Sequence, residues 1–253
     1  MKKPLVLLHG WGVDSSIWNG ILPALETHFE LTVVDLPGYG CDTDYNGEYS
    51  LDAVANEVLS RAPEKAIWVG WSLGGTIALA AAISHPERFL KLQLVSVTPQ
   101  FLNSADWDRG VEPEPFESLA RDFEVDYEKA IRKFLLLQLF TKDRSKIKMT
   151  KTLVRELSQV LSQRSRPTNK TLQSGLNLLS QTNLRPRLNE LEVETQVIAG
   201  QNDQVVPMAA SEFLFDQLEC GHSFHPFNAG HLPFLESQSK YIATLTTFTN
   251  STS

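Results

Sequence analysis

Cysteine is nearly absent: Cys41 and Cys220 are the only two in 253 residues. A disulfide scaffold calls for more cysteines in a shorter chain, so a reducing, cytoplasmic setting is expected, with both thiols packed and inert. Long apolar runs are missing as well. No stretch approaches the roughly 20 residues of a membrane-spanning helix, and no membrane partner is expected. The opening Met1-Lys2-Lys3-Pro4-Leu5-Val6-Leu7-Leu8 has too short an apolar run for a secretory leader, and it leads into His9-Gly10 without a small-residue cleavage site. Positive charge is not in excess: the net charge is −7, which argues against general nucleic-acid binding. No histidine–carboxylate cluster has metal-ligand spacing and no phosphate loop follows a strand, so neither a metal nor an organic cofactor is expected.

The composition, 42% apolar and 21% charged, suits one sizeable domain or one domain with a large insertion. Short apolar runs alternate with helical patterns. Strands are predicted at Pro4–Leu8, Leu31–Val34, Ala66–Val69, Leu92–Val97, Thr195–Ala199 and His222–His225. Helices are predicted at Ile17–His28, Leu51–Arg61, Leu73–Ser84, Met208–Leu218 and Ser237–Phe248, with Pro207 as the first residue of its helix. Such alternation predicts an α/β class, a mainly parallel sheet with helices on both faces. It breaks between Pro99 and about Arg187, where only helical runs stand out (134–140, 153–161 and 172–179), punctuated by Pro113, Pro115, Pro167 and Pro186. Residues 1–98 and 187–253 therefore read as the core, and 99–186 as a helical lid inserted over the carboxyl edge of the sheet. Charge divides unevenly: residues 129–170 hold twelve lysines and arginines against Asp143 and Glu156, a segment of +10 in an otherwise acidic chain.

Gly70-Trp71-Ser72-Leu73-Gly74 fits the nucleophile-elbow pattern G-x-S-x-G. Five residues are a weak signal alone. The buried-strand candidate Ala66-Ile67-Trp68-Val69 before it and the small-residue helix Gly75–Ala82 after it supply the context in which a serine hydroxyl is presented off a sheet edge. A serine needs a base, and a histidine base needs a carboxylate to orient it. Where this elbow occurs the acid and then the histidine follow in the chain. Asp203, after the strand ending at Ala199, and His231, after the last strand, fit that order. Asp35 is the second candidate acid, in a stretch that reads as a structural turn. His9 reads as a loop-shaping residue, His28 and His85 as helix-end residues, and His222 and His225 as strand residues. The backbone N–H groups of Leu73 and Trp11 are the expected oxyanion donors.

Several runs carry a family resemblance: Leu7-Leu8-His9-Gly10-Trp11-Gly12, Val34-Asp35-Leu36-Pro37-Gly38-Tyr39-Gly40, Ala66 to Gly75, His85-Pro86-Glu87-Arg88, and Phe134-Leu135-Leu136-Leu137-Gln138. Together they resemble the pimeloyl-[acyl-carrier protein] methyl ester esterases of biotin synthesis, along nearly the whole chain. The first, second and fourth are shared widely among α/β-hydrolases, whereas the other two are more particular. The resemblance implies the α/β-hydrolase fold, a Ser72–Asp203–His231 triad, Trp11 and Leu73 beside the ester, and an acyl channel lined by Phe134, Leu135, Leu136, Leu137 and Gln138. It also implies an acidic acyl-carrier protein facing Lys129 and Lys133, with Lys142, Arg144, Lys146 and Lys148 as further contacts. The family's N-terminal hairpin has no counterpart before the His9 strand, which leaves the size of the sheet open. Lysines stand where the family has arginines, so contacts to the carrier are expected to be several and individually weak. A general carboxylesterase, a carbon–carbon bond hydrolase and a non-catalytic binding module remain alternatives, and the chain is expected to act as a monomer.

Overall fold

The computed structural model describes residues 2–219 and 222–251. In chain order the elements are β1 (Lys3–Leu8), α1 (Leu22–Leu25), β2 (Phe29–Val34), α2 (Leu51–Ser60), β3 (Ala66–Trp71), α3 (Leu73–Ser84), β4 (Phe89–Val95), α4 (Pro113–Val125), α5 (Tyr127–Gln138), α6 (Ile147–Ser162), α7 (Asn169–Gln181), β5 (Thr195–Gly200), α8 (Met208–Asp216), β6 (Ser223–Phe227), α9 (Pro233–Glu236) and α10 (Gln238–Asn250). The strands form one six-stranded sheet in the order β2-β1-β3-β4-β5-β6, every neighbouring pair parallel. Central β3 and β5 are buried along their whole length, as strands covered on both faces must be. Edge strand β6 is half-exposed and contains Pro226, whose missing N–H an edge tolerates.

All six predicted strands are present. The helices differ in instructive ways. The single helix expected over Ile17–His28 is a 3-10 turn at Ser15–Trp18 followed by the one-turn α1, with Gly20 and Pro23 interrupting the run. Pro207 precedes its helix, in an extended conformation (ψ 134°), and α8 starts at Met208. Pro113 and Pro115 do not break structure: they occupy the first turn of α4, where an N–H would have no helical partner. Cys41 is exposed instead of packed, and Cys220 lies outside the described residues. Helices α4 to α7 all fall between β4 and β5. Among the described residues no helix is long and apolar enough to cross a membrane.

The junction of β3 and α3 is the tightest part of the fold. Eleven of the twelve residues of α3 are buried. A Cβ on Gly70 would stand 2.5 Å from the Gly75 Cα, and one on Gly74 would stand 2.4 Å from the His9 carbonyl oxygen. No real Cβ is accommodated at such distances, so these glycines let the helix start directly against the strand ends.

Candidate active site

Ser72 sits alone between β3 and α3 with φ 54° and ψ −122°, a conformation L-residues rarely adopt. Its N–H donates to the Val95 carbonyl (3.0 Å) and its carbonyl accepts the Thr76 N–H (3.0 Å), which hold the strained turn from the sheet and from the helix. The side chain emerges at the carboxyl end of the sheet and lines a cavity of about 480 Å³. A Cβ on Gly10 would stand 3.1 Å from the Ser72 Cβ, so the His9–Gly12 loop runs directly against the serine. The Leu73 amide opens α3, where first-turn N–H groups have no carbonyl of their own helix to bond.

Asp203 and His231, 28 residues apart, meet at this edge: His231 Nδ1 is 2.7 Å from Asp203 Oδ2. Oδ1 of the same carboxylate accepts the N–H groups of Val205 (2.8 Å) and Val206 (2.9 Å), which fixes its orientation. The imidazole is fully buried, and its Nε2 has no hydrogen-bond partner among the described residues. With Nδ1–H directed to the carboxylate, Nε2 keeps its lone pair, as a general base requires. Trp71, which precedes Ser72, donates its indole N–H to the His231 carbonyl (2.8 Å), and the two rings lie 5.3 Å apart. The elbow and the histidine loop are thus joined directly.

Asp35 is occupied elsewhere. Its Oδ1 accepts the Ser15 N–H (2.7 Å), and Arg164 approaches to 3.7 Å. His9 accepts the Leu36 N–H at Nε2 (2.9 Å) and pairs its Nδ1 with the Gly10 carbonyl (2.8 Å). Burial pushes its imidazole below the ordinary value, so it stays a neutral brace between two loops.

Trp11 forms a wall of the cavity. Its indole N–H donates to the Leu172 carbonyl of α7 (2.9 Å), and its ring meets Phe123 and Phe134 edge-on. From the Phe134–Gln138 run, Phe134, Leu136 and Leu137 line the cavity. Leu135 and Gln138 do not: both are buried on the stripe of α5 shared with Ile131, against the body of the protein. A helix of 3.6 residues per turn cannot direct five successive side chains into one channel. Phe101, Val111, Leu119, Leu176, Leu179 and Val205 complete the apolar lining, with Ser118, Asp122, Lys133 and Gln204 as its polar part. These come from four separate segments whose apolar residues carry no distinguishing motif.

Lys129, Lys142, Arg144 and Lys148 are exposed. Lys133 donates to Asp122 (2.6 Å), and Lys146 donates to the Asn228 carbonyl beside the histidine loop. A groove between α5 and α6 has Ile131, Leu136 and Val154 in its lining, with Arg132, Lys151, Arg155 and Arg166 around them. Glu236 carried no signal in the sequence, yet its Oε1 accepts the Gly230 N–H (2.7 Å) immediately before His231.

Residues 3–238 match the model of the alpha/beta hydrolase fold family. The pimeloyl-[acyl-carrier protein] methyl ester esterase of Edwardsiella ictaluri is 36% identical over 98% of this chain and 93% of its own length. The enzyme of that name from Vibrio vulnificus is 33% identical over 96% and 93%. Among solved structures, an esterase from Exiguobacterium antarcticum superposes with TM-score 0.85 at 24% identity, covering 98% of this chain and 92% of that one. The enol-lactonase of Burkholderia xenovorans superposes with TM-score 0.84 at 20% identity, covering 99% and 92%. These two likenesses concern the fold. The parallel sheet, the strained serine between β3 and α3, and the 33–36% identity over nearly the full length of these relatives lead to one assignment: the chain belongs to the α/β-hydrolase family and, within it, to the pimeloyl-[acyl-carrier protein] methyl ester esterases.

Proposed function

We propose that this chain is a serine carboxylesterase that removes the methyl ester from a pimeloyl chain carried on acyl-carrier protein, giving methanol and the free distal carboxylate for biotin synthesis. One observation carries the chemistry: an Asp203–His231 pair with unbonded Nε2 stands at the sheet edge where Ser72 opens into an apolar cavity. The names of the full-length relatives supply the substrate.

The geometry supports the following sequence. Nε2 of His231 takes the Ser72 Oγ proton as Oγ adds to the ester carbonyl. Asp203 stabilises the imidazolium that forms. The N–H groups of Leu73 and Trp11 receive the oxyanion, each contributing about 3 kcal/mol to the transition state. His231 returns the proton to the departing methoxide, leaving an acyl-Ser72. Water, deprotonated by His231, attacks that ester; collapse of the second oxyanion expels Ser72 Oγ, which takes the proton back from His231, and the carboxylic acid released ionises to the carboxylate. The cavity, at about 480 Å³, is of ordinary size for a small-ligand site. Its lining by Phe134, Leu136, Leu137, Leu176 and Leu179 suits a methylene chain.

Residues 99–186 act as the lid in this reading. Lys129, Lys133, Lys142, Arg144, Lys146 and Lys148 face the carrier, with the groove of Arg132, Lys151 and Arg155 beside them. A +10 segment steers an acidic partner locally although the whole chain is acidic. Lys133 must exchange Asp122 for a carrier group, so it contributes less than a free lysine. The test compares turnover of the carrier-linked methyl ester with that of a short aryl ester as salt is raised. Turnover of the carrier substrate is expected to fall steeply while the aryl ester barely responds. Equal responses would remove the carrier from the reading, and persistence of both activities in Ser72→Ala would remove the chemistry.

A further inference from the structure

The backbone around His231 is held by three separate parts of the fold. Its N–H donates to the Gln138 carbonyl at the end of α5 (2.6 Å), and its carbonyl accepts the Trp71 indole N–H (2.8 Å). One residue earlier, the Gly230 N–H donates to Glu236 Oε1 (2.7 Å). There is no slack at that glycine: a Cβ would stand 2.3 Å from the Gln138 carbonyl oxygen and 3.3 Å from Glu236 Oε1. The carboxyl of α9 and the carbonyl of the lid therefore bear on the same two-residue stretch. Glu236 is itself buried, and its Oε2 has no hydrogen-bond partner among the described residues; Oε1 of Gln138 is in the same condition.

We propose that Glu236 is a positioning residue for His231: by fixing the Gly230 amide it sets, through one peptide unit, where the imidazole stands against Asp203. This rests on the reading of His231 as the general base. A buried carboxylate with a bare oxygen is a costly ion, and the neutral acid is the cheaper form. Burial accordingly pushes the carboxyl up to about 7, and the nearby Asp203 charge adds to the rise, while the Gly230 N–H and Lys146 pull the other way. The charged groups that bear on Glu236 are thus Lys146 from the segment before α6 and Asp203 from the loop after β5. Ionisation places a second negative charge near the Asp203–His231 pair.

The test uses the full chain and a small ester, p-nitrophenyl butyrate, so that carrier recognition plays no part. Glu236→Ala removes the acceptor, whereas Glu236→Gln keeps an acceptor oxygen and removes the ionisation. For Glu236→Ala, kcat is expected to fall between about tenfold and a hundredfold with KM little changed, as for a small misplacement of a catalytic group. Glu236→Gln is expected to recover most of that loss, because its amide oxygen can still accept the Gly230 N–H. Wild-type kcat in Glu236→Ala would overturn the proposal. So would a Glu236→Ala protein that is less stable but has wild-type kcat per folded molecule. If Glu236→Ala does not fold, Glu236→Asp, which withdraws the acceptor by one methylene, is measured in its place, and a wild-type kcat there overturns the proposal. Failure of the underlying reading looks different: wild type would not react at Ser72 with a fluorophosphonate, whatever Glu236 does.

Discussion

Oδ2 of Asp203 lies 2.7 Å from Nδ1 of His231, while Oδ1 of the same carboxylate is committed to two backbone N–H groups. That division of labour makes Asp203→Asn an informative change. If the amide oxygen keeps the bonds to Val205 and Val206, the NH2 group must face Nδ1. Nδ1 then becomes an acceptor and the imidazole proton moves to Nε2, where the base needs its lone pair. Loss of kcat by up to about ten-thousandfold is expected, with the fold retained. Ester hydrolysis near neutral pH, with circular dichroism as the control, measures it. A loss below tenfold would mean that Asp203 does not set the tautomer.

Gly175 lies in α7, where alanine ordinarily stabilises a helix by about 1 kcal/mol. Here a Cβ would stand 2.7 Å from the Trp11 ring. That indole is buried and bonded to Leu172, so it cannot swing away. Overpacking at about 1–3 kcal/mol exceeds the propensity gain, and Gly175→Ala is expected to destabilise the protein. It also displaces Trp11, a wall of the cavity and the residue whose amide is proposed to receive the oxyanion, so kcat should fall along with stability. Urea unfolding and initial rates together check both parts.

Arg164, two residues past the end of α6, donates to Asp14 (3.0 Å), a carboxylate whose side chain is 5% exposed. Burial raises the Asp14 carboxyl, but hydrogen bonds from Ser16 and Arg164 outweigh it and hold it below its ordinary value. Arg164→Ala leaves that carboxylate without its cation. The guanidinium is 37% exposed, so the loss should be about 1–2 kcal/mol, well under that of a fully buried pair. The depressed Asp14 contributes stability above its unfolded value and loses it as pH falls. The wild-type advantage over Arg164→Ala should therefore be present at pH 7 and shrink toward pH 3. Unfolding curves at the two pH values decide it.

Glu236 has the opposite sign. Its proton is held more tightly in the folded chain, so its contribution is complete below about 4.5 and is lost as pH rises through about 7. The full shift corresponds to about 3 kcal/mol as an upper bound. Between pH 5 and pH 8 wild type should lose more stability than Glu236→Gln. Parallel losses in urea titrations would contradict a buried, proton-holding carboxyl.

The sheet was legible because central parallel strands carry unbroken apolar runs, as in Ala66–Val69 and Leu5–Leu8. Chain order and strand ends sufficed to nominate Ser72, Asp203 and His231. The lid was less legible. Proline has two meanings, break and first turn, and the run around Pro113 and Pro115 does not say which applies. Leu135 and Leu137 look alike in sequence and differ only in the face of α5 they occupy. Glu236 was invisible for a different reason: a lone carboxyl after Pro-Phe-Leu has no pattern, and its role exists only once the chain folds back on Gly230.

The bond from the His231 N–H ends on a main-chain carbonyl, that of Gln138. Any amino acid except one that disturbs the end of the helix supplies the same acceptor. Selection can therefore rewrite the side chains of α4 to α7 without touching the support of the histidine, provided α5 still ends at that point. Insertions and deletions are what this arrangement forbids: one residue more or less in α5 moves the carbonyl by about 1.5 Å along the axis and 100° around it. Lids exchanged between relatives should succeed when the join preserves the length from the start of α5 to Gln138, and fail when it does not, whatever their sequence similarity.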